Sequence, residues 1–121
     1  MATLSTFPIY IGYGTSLSTA VDLGASYVCG LVMPDKWTQA RVTIQASTDG
    51  ALFHDLFDFD LEDKTTATEV TFNVVPSAMV AVDPHTLLMA RYIKLRSGTR
   101  DEPVEQAETC MFTLITVNSL T

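Results

Sequence analysis

Residues 37–50 constrain the fold of this chain more than any other stretch, because a strongly alternating strand runs directly into a turn signal. Val42, Ile44 and Ala46 would lie on one face of this strand. The opposite face would carry polar side chains: Arg41, Thr43, Gln45 and Ser47. The Thr-Asp-Gly sequence ending at Gly50 then supplies a residue that tolerates positive φ, and a returning strand would begin near Phe53. The pattern predicts an antiparallel hairpin within a two-layered β domain, and it contains no catalytic chemistry.

The rest of the chain contains further short strand-like runs. They cover residues 20–23, 27–33, 69–75, 78–82, 91–96 and 110–117. Asp83 followed by Pro84 indicates the capped start of a single helical turn. About eight short strands with almost no helix predict an all-β fold, an antiparallel jelly-roll β-sandwich.

The first 17 residues differ from this pattern. Asp22 is the only charged side chain before Pro34, and Pro8, Gly12 and Gly14 interrupt any regular element. We therefore predict an extended N-terminal arm over 1–17 and a single sandwich domain over 18–121. The arm would lie along the edge of its own sandwich, or it would reach a neighbouring subunit by β-strand addition. In the second case, its apolar and aromatic side chains are the candidate partner-binding residues: Phe7, Ile9, Tyr10, Ile11 and Tyr13.

The composition narrows the range of partners. Apolar residues make up 47% of the 121 residues and charged residues only 17%, below the roughly 25% typical of soluble domains. This excess indicates a densely packed sandwich or an apolar surface covered by a partner subunit. No apolar run approaches the roughly 20 residues of a membrane span, so we expect no membrane partner. The net charge of −7 and the scattered basic residues argue against nucleic acid as a partner.

Sites of chemistry are also hard to find in the sequence. There is no nucleophile elbow, phosphate-binding glycine loop or His-Glu-x-x-His motif, so we expect neither an enzyme nor a bound cofactor or metal. His54 and Asp55 are adjacent on a strand and should diverge. Cys29 and Cys110 lie in apolar runs and are expected to be buried thiols, paired only if their strands are neighbours.

Three other features leave alternatives open. Asp58, Asp60 and Glu62 would share one face, forming a cation site or a charged edge strand that blocks unwanted pairing. Trp37 would pack in the core or form a stacking platform for a sugar. Asp22, among apolar neighbours, would accept backbone hydrogen bonds at a strand end.

Three segments are similar in content and order to one known family. They are Val21-Asp22-Leu23-Gly24, Ser47-Thr48-Asp49-Gly50 with Phe53, and Ala90-Arg91-Tyr92-Ile93-Lys94-Leu95. Together they resemble the discoidin-like (galactose-binding-like) jelly roll, and the resemblance covers roughly residues 20–118. It implies a fold more than a ligand, because lectins and lipid binders of that family use long loops at one end of the sandwich. The loops here are short and carry no evident pair of protruding aromatic residues.

The whole pattern also resembles small β-sandwich proteins among the structural proteins of tailed phages and prophages. This resemblance implies a virion component without catalysis, and capsid decoration (cement) proteins in particular are small β domains of this kind. We therefore expect a capsid protein, made in the host cytoplasm, whose partners are the major capsid protein and copies of itself. The alternatives are a carbohydrate-binding module of a tail or receptor-recognition protein, and a head–tail or tail accessory subunit. A carbohydrate module would use Trp37 or the loops near Asp49 and Asp101.

Overall fold

The computed structural model describes residues 2–59 and 66–120, which form eleven strands and one 3-10 helix. The strands are β1 (Leu4–Ile11), β2 (Val21–Asp22), β3 (Tyr27–Val32), β4 (Val42–Ser47), β5 (His54–Asp55), β6 (Phe57–Phe59), β7 (Ala67–Glu69), β8 (Thr71–Phe72), β9 (Met79–Ala81), β10 (Tyr92–Ser97) and β11 (Cys110–Val117). The all-β prediction is confirmed, although the strands in these ranges outnumber the expected eight because several contain only two or three residues. Across the same ranges no helix is long and apolar enough to cross a membrane.

Two antiparallel sheets form the two layers. The front sheet has the order β1-β11-β3-β9, and the back sheet has the order β2-β10-β4-β5, with β8 also paired to β4. A separate two-stranded ribbon consists of β6 and β7. The first and last strands of the chain, β1 and β11, are neighbours along their whole length, from Leu4 opposite Val117 to Ile11 opposite Cys110.

The hydrophobic core lies between the inner faces of the two sheets. The front sheet contributes alternate residues of its long strands, and the back sheet contributes alternate residues of β4 and β10. The largest apolar side chains that are almost completely buried are Phe112, Ile9, Ile11, Leu87, Ile93, Leu95 and Leu114. Burial of this kind gives roughly 1.5–3 kcal/mol per large side chain and is the main force holding the two layers together.

The hairpin predicted around Gly50 is present. Strand β4 pairs with β5 through Gln45 opposite Asp55, and Gly50 has a φ of +81°. Val42 and Ile44 lie in the core as the alternation predicts. The opposite face of β4 is less exposed than expected, because Thr43 and Ser47 are also buried.

The predicted N-terminal arm is wrong as a separate element. Residues 4–11 are a regular strand, β1, at the edge of the front sheet, so the alternative of an edge in the chain's own sandwich is the one observed. The following residues continue along the back sheet: the Ser18 amide donates to the Leu95 carbonyl, and the Ser97 amide donates to the Ser16 carbonyl. A domain boundary at residue 17 therefore has no structural basis.

The helical turn is present as predicted. The 3-10 helix spans Pro84–Leu87, and the Asp83 side chain caps it by accepting from the His85 amide at 3.0 Å. The backbone hydrogen bond and the contact with the His85 ring lower the pKa of Asp83. Leu87 anchors the turn in the core.

Candidate interaction surface

The polar residues suggested by the sequence have structural roles. Asp22 accepts from the Gly24 amide at 2.8 Å and from Arg91 at 3.2 Å, and these bonds, that from Arg91 above all, lower its pKa. The expectation that Asp22 receives backbone hydrogen bonds at a strand end is thus confirmed. Asp49 accepts from the Ala51 and Leu52 amides, which lower its pKa, so its carboxylate organises its own turn.

Trp37 packs in the molecule rather than projecting from it. Its ring meets Phe112 edge-on, with the centroids 5.3 Å apart and an interplanar angle of 81°. The indole Nε1–H donates to the Ala40 carbonyl at 3.3 Å. Both contacts favour the core-packing alternative over a platform for sugar stacking.

The two cysteines are free thiols at different ends of the front sheet. Cys29 lies beside Ile115 of β11. Cys110 is itself in β11, five residues before Ile115, where it pairs with Ile11 of β1. Their strands are neighbours, as a disulfide would need, but about 17 Å of strand between the two positions prevents a bond. Burial, assisted by the charge of Glu108, raises the pKa of Cys110.

Metal-ligating residues do not converge. Within residues 2–59 and 66–120 there is no group of three or more histidine, cysteine or acidic side chains placed to hold an ion. His54 is exposed, whereas the neighbouring Asp55 turns towards Arg96. Asp58 lies on β6, but Asp60 and Glu62 fall outside the described residues, so the cation and edge-strand alternatives for this segment stay predictions.

The five candidate partner-binding residues of the N-terminal segment separate into two groups. Ile9 and Ile11 are 1% and 0% exposed and belong to the core, so they cannot contact a partner. Phe7 is half-buried against the same core. Tyr10 and Tyr13 are exposed, so their side chains are accessible to a partner. Within β1 the alternation separates Ile9 and Ile11 from Tyr10, since successive side chains point to opposite faces of a sheet, whereas Tyr13 lies in the turn that follows the strand.

Tyr10 belongs to a larger surface, the outer face of the front sheet. Because Ile9 and Phe112 point into the core, the alternate residues of β1 and β11 point outwards. The register then places the outward residues in four rows across the sheet. The rows are Tyr10–Met111, Pro8–Thr113–Val32–Met79, Thr6–Ile115–Gly30–Ala81 and Leu4–Val117–Tyr27.

This outer face carries no charge. None of the 7 basic and 14 acidic residues lies in β1, β3, β9 or β11. Its most exposed large side chains are Met79 (73%) and Leu4 (67%), followed by Met111 and Tyr10. An antiparallel sheet with a solvated outer face normally alternates polar residues outwards, so the outer face of the front sheet has the composition of a covered surface.

The back sheet shows the opposite arrangement. Its outer side holds Arg96, which is bonded to Asp55 at 2.7 Å and to Glu69 at 2.6 Å, and also Lys94, which lies 4.4 Å above the Phe53 ring. Burial raises the pKa of Asp55, but the hydrogen bond and charge of Arg96, with smaller effects of Gln45 and Arg100, together outweigh it, and the net pKa is lowered. Among the strands of the two sheets, the charged side chains therefore lie only in the back sheet.

A groove of about 380 Å³ is present beside the hairpin turn. Its lining includes Asp49 and His54 with three larger apolar side chains, Leu52, Phe57 and Met89. The groove adjoins the Asp49 loop that was a sequence candidate for carbohydrate binding, whereas the outward residues of β11, β3 and β9 were not among the sequence candidates. The sequence of Cys110–Val117 nevertheless indicated an apolar outer face, because its apolar residues occupy both alternating faces of the strand.

Comparison with solved structures shows that a prophage-derived protein has a similar architecture. The chain shares the fold of YomS. This SPBc2 prophage-derived protein aligns with a TM-score of 0.57 and 11% identity, covering 97% of this chain and 95% of YomS. At that identity the likeness to YomS is one of fold. No family model matches the chain, and no curated protein sequence matches it.

Proposed function

We propose that this chain is a non-enzymatic structural subunit of a tailed-phage particle, and specifically a capsid decoration protein that stabilises the head through subunit contacts. The observation that carries the proposal is the charge-free outer face of the front sheet, which is suited to contact with protein rather than to catalysis. The resemblance of the sequence pattern to small phage β-sandwich proteins supports the phage assignment. The fold shared with prophage-derived YomS supports it further.

A decoration protein can be held on a shell by weak contacts that are repeated over many copies. The outer face covers roughly 400 Å², at about 3.4 Å per residue and about 4.8 Å between strands, which is less than the roughly 800 Å² per partner of a standard stable interface. On a shell, many copies bind at once, and the summed contacts hold the assembly although each one is weak.

The proposal is tested by incorporation into particles. Thr113→Glu places a carboxylate at the centre of the outer face, where a covered surface would leave it unpaired. We expect this variant to fold but to be depleted from purified particles by about tenfold or more. Ala51→Glu, at an exposed residue of the hairpin turn outside the groove lining, is the control that adds the same charge elsewhere, and it should incorporate like the unmodified chain. Equal incorporation of both variants would refute the role of the outer face.

A carbohydrate-binding module of a tail protein is the second candidate, and the groove beside Asp49 is the observation that favours it. A glycan array would show binding that is lost when Met89 or His54 in the lining is changed. Head–tail or tail accessory subunits would use the same outer face, and the position of the labelled protein on the assembled particle separates them from a decoration protein.

A further inference from the structure

We propose that the partner on the outer face of the front sheet is a second copy of this chain, which binds with the same face in a two-fold symmetric, face-to-face arrangement. The inference deepens the proposed function by naming one partner of that surface. The inference rests on the proposed role of this face, and self-association can be measured on the isolated protein.

Charge favours a second copy on this face. The molecule carries a net charge of −7, so two copies repel each other when their charged surfaces meet. In a two-fold interface each patch faces itself, and a patch with charges of one sign would be repelled by its own copy. The outer face of the front sheet is the layer of the sandwich where two copies can meet without opposing like charges.

The shape of the face suits self-packing. The row Thr6–Ile115–Gly30–Ala81 is built of small residues around Ile115, whose Cδ1 lies 3.3 Å from the point where a Cβ on Gly30 would be. Larger side chains flank this row on both sides, including Leu4 and Met79. Ile115 therefore fills the space over Gly30, and a face without a protruding charged group can stack on its own copy as in sheets packed about 10 Å apart.

The free edge of β1 opposes the alternative of edge-to-edge pairing. The Asn118 amide donates to the Thr3 carbonyl, so odd-numbered residues of β1 direct their backbone groups towards β11. Even-numbered residues, including Pro8, direct theirs towards the free edge. Proline has no N–H to donate there, and proline on an edge strand is a known protection against edge pairing. Because pairing at the free edge of β1 is disfavoured, we expect a second copy to bind the outer face of the front sheet instead.

The area of the face sets the strength of the contact. The residues of the four strands, each covering about 3.4 Å along the strand and about 4.8 Å across it, give a face of roughly 400 Å². This is below the roughly 800 Å² per partner of standard stable complexes. We therefore expect a dimer that dissociates on dilution rather than an obligate one.

Sedimentation velocity on the purified full chain, from about 5 to 300 µM, tests the inference. The chain is expected to shift from monomer to dimer over this range. Met79→Glu and Thr113→Glu should each raise the dimer dissociation constant by about tenfold or more, whereas Ala51→Glu, at an exposed residue of the hairpin turn, should leave it within about twofold. Met79 is largely solvent-exposed, so its variant reports on association even if Thr113→Glu fails to fold by circular dichroism.

Two results would overturn the inference: a chain that stays monomeric over the whole range, or a dimer whose dissociation constant neither face variant changes. Each is distinguishable from failure of the proposed function. A monomeric chain whose Thr113→Glu variant is nevertheless lost from particles would assign the outer face to a different virion protein. A dimer whose variants incorporate normally would retain the inference and remove the particle role of the face.

Discussion

Arg96 shows how one residue can join separate parts of this fold. Its side chain, 8% exposed, donates to Asp55 on β5, to Glu69 on β7 and to the Thr43 hydroxyl on β4. Arg100 adds a weaker contact to Asp55 at 3.5 Å. The guanidinium group therefore connects the β6–β7 ribbon to the back sheet through charged hydrogen bonds.

We expect Arg96→Met to lower the free energy of unfolding at pH 7 by about 3 kcal/mol, because two largely buried carboxylates lose their cation. The lowered pKa of Asp55 means that its contribution in the unmodified chain is present above the unfolded pKa of about 3.9 and is lost as pH falls through the folded value. In Arg96→Met this contribution of Asp55 is lost, so the difference in unfolding free energy between the unmodified chain and the variant should narrow as pH falls from 7 to about 4. Urea unfolding at both pH values measures this.

The matched control for that prediction is Arg91→Met. Arg91 pairs with Asp22, but both side chains are about half exposed, and such pairs contribute no more than about 1 kcal/mol. If the two arginine variants had equal unfolding free energies, the buried Arg96 cluster would contribute no more to stability than the exposed Arg91–Asp22 pair.

At the level of elements, β1 is the strand whose role the sequence left most open. Pro8 and the two following glycines suggested an irregular arm, since proline is normally excluded from strand interiors. The tertiary structure accommodates Pro8 because β1 is an edge strand and its even-numbered residues face away from β11. The hairpin β4–β5 was easier to predict, because its alternation and its turn are local in sequence.

Removal of residues 2–14 should abolish cooperative folding rather than only detach a contact segment. The deletion removes Ile9 and Ile11 from the core and exposes one side of β11. Two isoleucines contribute roughly 3–6 kcal/mol, which is comparable with the 5–15 kcal/mol stability of a whole domain. Circular dichroism and urea unfolding of the truncated chain test this, with Tyr10→Ser as the control because that side chain points outwards. A truncated chain that unfolds cooperatively at normal urea concentration would show that β1 is dispensable.

At the scale of the whole molecule, the strands of the two sheets differ in charge. The four strands of the front sheet carry none of the 21 charged residues, and β10, β4 and their neighbours surround a buried charged cluster. Two molecules that associate through the uncharged face still repel each other at longer range through their net charge of −7.

Salt should therefore strengthen self-association of this chain. Raising NaCl from about 20 to 500 mM shortens the Debye length from roughly 20 Å to a few ångströms and screens this repulsion. We expect the dimer dissociation constant to fall by about threefold or more, as measured by sedimentation velocity at each salt concentration. An interface held by complementary charges would weaken with salt, and that outcome would contradict the assignment to the uncharged face.

The amino-acid sequence was sufficient to predict the local features of this protein: the all-β class, the alternation and turn around Gly50 and the cap at Asp83. Each depends on residues close together in the chain or on composition. Only the tertiary structure decided that β1 pairs with β11, which separates Ile9 and Ile11 in the core from Tyr10 on the surface. It also decided that uncharged rows from four distant strands form one face, because the register between strands far apart in sequence depends on packing of the whole core.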